Sequence, residues 1–300
     1  MIVVTTPTGR IGNRVVTGLL QRGAPVRVIV REASHLGERV RDRVEIVEGS
    51  HADEAVLDEA LAGADALFWL VPPNPAAPSA EEHYLAFARA GAAAVERHGV
   101  GHVVGVTSAG HDWQGRAGLL SAAFAMDAML SASGAAYRAL SLPFYMENLV
   151  GQAEAIRERG VFSLACDADR PLATIATRDI ADRAVDLLTD LSWTGQQNLP
   201  LFGPDRLTPA QMAEVMSEEL GRPVAFQSIA LTDFAAMLRS RGASEQSIVD
   251  TVEMFDAQQS GIYDADWTVA ETAPTDFRTW CREVLRPATE RSPQAAGLAR

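Results

Sequence analysis

Along its first half the chain alternates short, mostly apolar runs with stretches in which apolar residues recur every three or four positions. The runs at 2–5, 26–30, 44–47, 66–71, 102–107 and 136–142 predict strands buried on both faces. Between them, 11–21, 54–61, 80–98 and 119–131 have helical spacing, and Val15, Val16, Leu19 and Leu20 mark the inner face of the first helix. Buried strands separated by amphipathic helices imply an α/β fold built on a doubly wound parallel sheet. Right-handed crossovers then gather strand C-termini and helix N-termini on one rim, where such sheets bind ligands.

After Pro143 the beat loosens. Arg178-Asp179-Ile180-Ala181 opens a helix running to Leu188, and Thr208 caps another that has Pro209 in its first turn and ends before Gly221. A strand is expected at 224–229 and helices at 233–239, 245–258 and 277–285. This pattern divides the chain into a first domain, 1–142, completed by about 172–202, and a smaller C-terminal α/β lobe from 143–171 and 203–286. The small and polar residues of 287–300 read as a disordered tail.

Composition narrows the chemistry. The 300 residues are 47% hydrophobic, ample for a core, and the net charge of −13 argues against nucleic-acid binding. No apolar run approaches the ~20 residues of a membrane span, and the uncharged start lacks a signal-sequence pattern. Cys166 and Cys281 stand far apart, so neither a disulfide framework nor a metal site is expected. The expectation is a cytoplasmic protein with buried, reduced thiols. All 26 basic residues are arginine. A Schiff-base lysine, a P-loop lysine and a Tyr-x-x-x-Lys dyad are thereby excluded, because a guanidinium does not shuttle protons.

Between the first strand and first helix lies Thr6-Pro7-Thr8-Gly9-Arg10-Ile11-Gly12, the place of a dinucleotide-binding loop. Such loops carry glycine for a tight turn, for approach of a pyrophosphate and for helix packing. The last two are present as Gly9 and Gly12, while Thr6 holds the first position, where a β-branched residue followed by Pro7 is expected to keep negative φ. A structural turn would explain the loop nearly as well, but the strand-helix-strand context favours a dinucleotide, with Thr8, Arg10 and Ile11 around its phosphates. Arg31, after the second strand, sits where an acidic residue would mark NAD(H), so NADP(H) is the expected cofactor. Val71 and Pro72 after the fourth strand, and Thr107 at the end of the fifth, should flank the nicotinamide.

These features resemble the NmrA-like family of atypical short-chain dehydrogenase/reductases, over roughly 1–286. The cues are Gly9-x-x-Gly12, Val28-Ile29-Val30-Arg31, Val47-Glu48-Gly49, Phe144-Tyr145-Met146-Glu147-Asn148, Arg178-Asp179-Ile180-Ala181 and Gly203-Pro204-x-x-Leu207-Thr208. The resemblance implies a Rossmann domain with a smaller substrate lobe. It also implies a family of NADPH-dependent quinone reductases, aromatic-alkene reductases, enzymes of secondary metabolism such as antibiotic biosynthesis, and redox-sensing regulators. Thr6-Pro7 replaces the commoner Gly-Ala, and Ser50-His51 replaces Asp and an apolar residue beside the adenine.

The implied reaction is hydride transfer from NADPH to a quinone-like or conjugated aromatic small molecule. It needs positioning and a polarised acceptor oxygen more than a strong base. His111, just beyond the fifth strand, is the candidate acid. Tyr145 is the candidate hydrogen-bond donor, and Ser108 and Asn148 are further polar choices. Phe144, Trp113, Phe255 and Tyr263 are candidates for an apolar wall. A homodimer is compatible with this reading. A non-catalytic NADP(H) sensor that binds a partner protein and a non-redox enzyme on the same fold remain alternatives.

Overall fold

Eight parallel strands form the main sheet of the computed structural model, which describes residues 1–290. The first half folds as β1 (Ile2–Thr5), α1 (Arg10–Gln21), β2 (Val26–Val30), α2 (Glu38–Arg41), β3 (Glu45–Glu48) and α3 (Glu54–Leu61). It continues through β4 (Ala66–Trp69), α4 (Ala80–His98), β5 (His102–Ser108), α5 (Leu119–Ser131) and β6 (Ala136–Leu142). Then come β7 (Phe144–Tyr145), α6 (Ala153–Arg159), β8 (Val161–Leu164), β9 (Thr174–Ile175), α7 (Thr177–Thr189) and β10 (Gln196–Phe202). The chain continues with α8 (Pro209–Leu220), β11 (Ala225–Ser228), α9 (Leu231–Ser240), α10 (Glu245–Gln259), β12 (Glu271–Thr272), α11 (Phe277–Trp280) and α12 (Arg286–Glu290).

The strand order is β12-β10-β6-β5-β4-β1-β2-β3. From β1 the chain builds outward to β3, then returns to the other side of β1 with β4, so the switch point of the sheet lies between β1 and β4. Val4 pairs with Val28 on one side and Phe68 on the other, and Phe68 pairs with Val104. Alternate residues of these strands feed two cores. On one face Val4, Phe68 and Val104 meet Val15 and Leu19 of α1 and Ile180, Ala184 and Leu188 of α7. On the other, Val3, Leu67 and Trp69 meet Leu57 of α3, Tyr84 and Ala88 of α4 and Met126 of α5. Helices on both faces explain why β1 and β4 are buried throughout and almost wholly apolar.

A third core joins Met146, Leu149 and Phe162 to Met212, Met216, Phe277 and Trp280, beside the paired β8 and β11. A fourth ties Ala109, at the exit of β5, to Ala257, Ile262 and Tyr263 around the end of α10.

Three expectations differ from the structure. Strand β10 was not foreseen. Its start, Gln196-Gln197-Asn198, is exposed, and β12 covers only Leu201 and Phe202, so most of β10 is an edge that tolerates polar residues and Pro200. Through β12 the chain also returns to the main sheet within the segment assigned to the smaller lobe. Residues 287–290 are helical rather than disordered. The Arg286 guanidinium donates to the Glu219 carbonyl at 2.8 Å, Thr289 is buried, and Pro287 falls in the first turn of α12, where its missing N–H is tolerated. The rest of the expected tail, 291–300, lies outside the described residues.

Candidate functional site

The C-terminal ends of β1, β2, β4, β5 and β6 open into two confluent cavities of about 660 and 530 Å³, which share Thr6, Gly9, Pro72 and Pro73. The floor is fixed by Thr5, whose buried hydroxyl accepts the Leu70 N–H at 2.9 Å and donates to the Phe68 carbonyl at 3.1 Å. That bond locks the exit of β1 to the exit of β4 across the switch point.

Thr6 then departs from the expected geometry. Its φ is +51°, the left-handed region, although the residue is β-branched and followed by proline. This turn aims the Thr6 carbonyl back at α1, where it accepts the Gly9 N–H at 3.0 Å. A Cβ on Gly12 would lie 2.2 Å from the same oxygen, so only glycine fits there. Gly9 caps α1 without a side-chain hydrogen bond, leaving the first-turn N–H groups without a side-chain acceptor at the junction of the two cavities. That arrangement fits a diphosphate.

The larger cavity lies over β2 and β3. Thr8 and Arg31 line it, together with Gly49, Ser50 and His51. Arg31 and Arg10 are exposed and have no carboxylate partner among the described residues, while the nearby Glu48 carboxylate is engaged by the Ala33 N–H at 2.6 Å. The free Arg31 guanidinium in the larger cavity suits a phosphate monoester, and Arg10 lines the neighbouring cavity. His51 is buried edge-on to Trp69 and against Phe87. Burial lowers its pKa to about 4, against the opposing effect of its bond to the Leu70 carbonyl at 3.1 Å. The ring is therefore neutral near pH 7, and a carbonyl partner requires the proton on Nε2.

The second cavity holds the opposite end. Arg10, Ile11, Val71 and Thr107 reach it, as do Ser108, Phe144, Tyr145 and Asn148. Every residue named from the sequence for cofactor binding lines one cavity or the other. Ser108 Oγ donates to the Ala109 carbonyl at 3.0 Å and lies 3.4 Å from the Tyr263 hydroxyl. Burial raises the Tyr145 pKa, with Tyr84 and Tyr263 adding to the rise. Phe144, Phe255 and Tyr263 line the cavity, whereas Trp113 does not.

His111 is not brought to this site. Gly110, with φ +97°, turns the chain away from the rim, held by the Asp266 carboxylate on its N–H at 2.6 Å. His111 Nε2 instead sits 3.0 Å from the buried Asp127 carboxylate on α5, which also accepts the Tyr137 hydroxyl, and its ring lies 4.4 Å from Phe124. Conversely, Tyr84, Met254 and Gln258 line the cavity without having been singled out. The last two lie four apart on α10, a helical spacing that marks a common face but not what it faces.

The sequence model of the NmrA-like family matches residues 1–280. A (4-alkanoyl-5-oxo-2,5-dihydrofuran-3-yl)methyl phosphate reductase of Streptomyces griseus is 33% identical over 230 residues, 76% of this chain and 77% of that protein. An NAD(P)H azoreductase of Xenophilus azovorans is 30% identical over 252 residues, 84% of this chain and 85% of the other. Quinone oxidoreductase 2 of Escherichia coli is 26% identical over 275 residues, 90% and 93% of the two chains. The crystal structure of that NADPH-dependent enzyme with NADPH aligns at a TM-score of 0.75 and 23% identity, over 94% of this chain and 98% of the other. The structural likeness establishes the shared fold.

Proposed function

We propose that this chain, which belongs to the NmrA-like family, is an NADP(H)-dependent reductase that passes hydride to a planar, conjugated carbonyl acceptor such as a quinone. One observation carries the reading. A single cleft offers an uncapped helix N-terminus where its two cavities meet, the unpaired Arg31 at one end, and at the other a chamber of aromatic and hydroxyl side chains entered past the unpaired Arg10. The first end suits a 2′-phosphorylated dinucleotide. Gly9 and Gly12 admit the diphosphate, Thr6, Thr8 and the Arg10 and Ile11 N–H groups surround it, and Arg31 with the Arg10 side chain takes the 2′-phosphate. Val71, Pro72 and Thr107 flank the place of the nicotinamide, which when bound would supply the hydride. The second end suits a flat acceptor between Phe144, Tyr145 and Phe255, with Ser108 close by.

The relatives support this class of chemistry. Their names describe reductases of a quinone, an azo compound and an acylated oxo-dihydrofuran. The third is, like a quinone, an unsaturated carbonyl compound, and a role in secondary metabolism would accord with it. Lysine is absent from the chain, so the proton that completes the reaction comes from another group or from water.

The test is a paired titration of the five tryptophans' fluorescence with NADPH and NADH, followed by NADPH oxidation with a soluble quinone. Arg31→Asp should weaken NADPH by about 1–3 kcal/mol, the scale of a lost charged hydrogen bond, while sparing NADH. Equal loss of both cofactors would remove Arg31 as the phosphate reader. Absence of saturable NADPH binding by the unmodified protein would sink the function.

A further inference from the structure

Three of the chain's four tyrosines, Tyr84, Tyr145 and Tyr263, line the same 530 Å³ cavity. They arrive from distant parts of the sequence: α4, β7 and the turn after α10. That turn is clamped onto the end of β5. A Cβ on Gly110 would meet Ile262 at 2.3 Å, and Asp266 accepts the Gly110 N–H. Tyr263 is therefore held beside Ser108 by contacts that leave its ring little freedom.

The hydrogen bonds of these phenols are incomplete in an informative way. The Tyr263 oxygen accepts Gln258 Nε2–H at 3.0 Å, so its own proton must point elsewhere. Its one other hydrogen-bonding neighbour among the described residues is Ser108 Oγ at 3.4 Å, at the long limit for O–H···O, and Ser108 spends its own proton on the Ala109 carbonyl. The Tyr145 hydroxyl makes no hydrogen bond among the described residues, although the ring lies in a largely apolar chamber. Two phenols thus line one cavity without good protein acceptors for their protons. Burial raises the pKa of both, so both remain donors at every physiological pH.

We propose that the hydroxyls of Tyr145 and Tyr263 form an oxyanion-binding pair that receives the carbonyl oxygen of the acceptor. This rests on the reductase reading above and narrows it to acceptors that develop negative charge on oxygen. When a hydride adds to a conjugated carbonyl compound, its electron pair displaces the π pair onto oxygen and the nicotinamide is left oxidised. The oxyanion is then held by the two phenol O–H groups and takes its proton from water. Fixed donors aimed at the site of developing charge need no reorganisation during the reaction.

The test uses 4-nitrophenol, whose phenolate resembles the oxyanion and is read by its visible absorption, bound to the protein loaded with NADP⁺. The intact protein should favour the phenolate. Tyr263→Phe and Tyr145→Phe should each shift bound probe toward the neutral phenol by about tenfold, the effect of one charge-assisted hydrogen bond. Turnover of a soluble quinone should fall about 10²-fold in kcat for Tyr263→Phe, with NADPH affinity unchanged. Tyr145→Phe breaks no hydrogen bond among the described residues, so a lost internal bond does not account for its effect. Failure of the probe to bind, equal ionisation in all three proteins, or quinone turnover within threefold of the original in both variants overturns the proposal. A phenolate preference lost in the variants, in a protein that oxidises no NADPH with quinones, would refute the reductase reading and leave the oxyanion pair standing.

Discussion

Replacing Thr6 by glycine should stabilise the protein in the absence of cofactor and leave NADPH affinity within a few-fold. Thr6 adopts φ +51°, where an L-residue pays about 1–2 kcal/mol relative to glycine. Its Oγ1 is buried with no hydrogen-bond partner among the described residues, a penalty of about 1–3 kcal/mol. Against these stand the greater freedom of glycine in the unfolded chain, about 0.4–1 kcal/mol, and a lost methyl contact of about 0.8 kcal/mol. The balance favours Thr6→Gly by about 2 kcal/mol, a rise of roughly 4–8 °C in thermal midpoint for a chain of this size. Thr6→Ala removes the orphaned hydroxyl but keeps the backbone penalty, so it should fall between the two.

Thermal and urea unfolding of the three proteins without cofactor, with NADPH titrations alongside, separate the contributions. If Thr6→Gly is neutral or destabilising, or if the alanine and glycine variants match, the left-handed turn stores no strain and the reasoning fails. A gain in NADPH affinity above tenfold would mean instead that the threonine side chain obstructs the diphosphate.

Two other changes test the surroundings of the cleft. His111→Ala should leave kcat within about threefold, because the ring faces Asp127 rather than the cavity. It should lower stability by about 1–3 kcal/mol, as a buried carboxylate loses one of its two side-chain partners; a large kcat loss at unchanged stability would restore His111 to the chemistry. His51 gives a pH signature. Its folded pKa of about 4 lies below the ~6.5 of the unfolded chain, so only the unfolded state takes up a proton between these values. Stability should therefore fall by up to about 3 kcal/mol as pH drops from 6.5 to 4, and His51→Gln, which retains a donor for the Leu70 carbonyl, should flatten that part of the curve. Parallel curves for the two proteins would show that the imidazole is not the group titrating.

What could be read from the sequence follows the range of the forces involved. Strands β1, β2, β4, β5 and β6 are largely buried between helices on the two faces of the sheet, so their apolar runs state their own position. The residues proposed for the cofactor from Thr6 to Gly12 lie on one loop and the first turn of α1, and their shared placement needs nothing beyond the strand before and the helix after. The direction of His111 depended on Gly110, whose φ of +97° is held by Asp266, 156 positions away. No local pattern carries that information. Strand β10 escaped for a related reason: an edge position relaxes the demand for apolar residues that made the inner strands visible.

The absence of lysine, plain in the sequence, acquires its meaning only with the cavity in view. An ammonium beside the acceptor would stabilise an oxyanion by charge and then deliver a proton. Phenols whose pKa burial has raised can do only the first of these, and only as neutral dipoles. Such donors act by fixed orientation, which the clamp of Ile262 and Asp266 on Gly110 provides. The segment after α10 is thus tied to the end of β5 by the same contacts that direct His111 away from the rim. The contact that holds the imidazole away from the cleft is the one that fixes Tyr263 beside it.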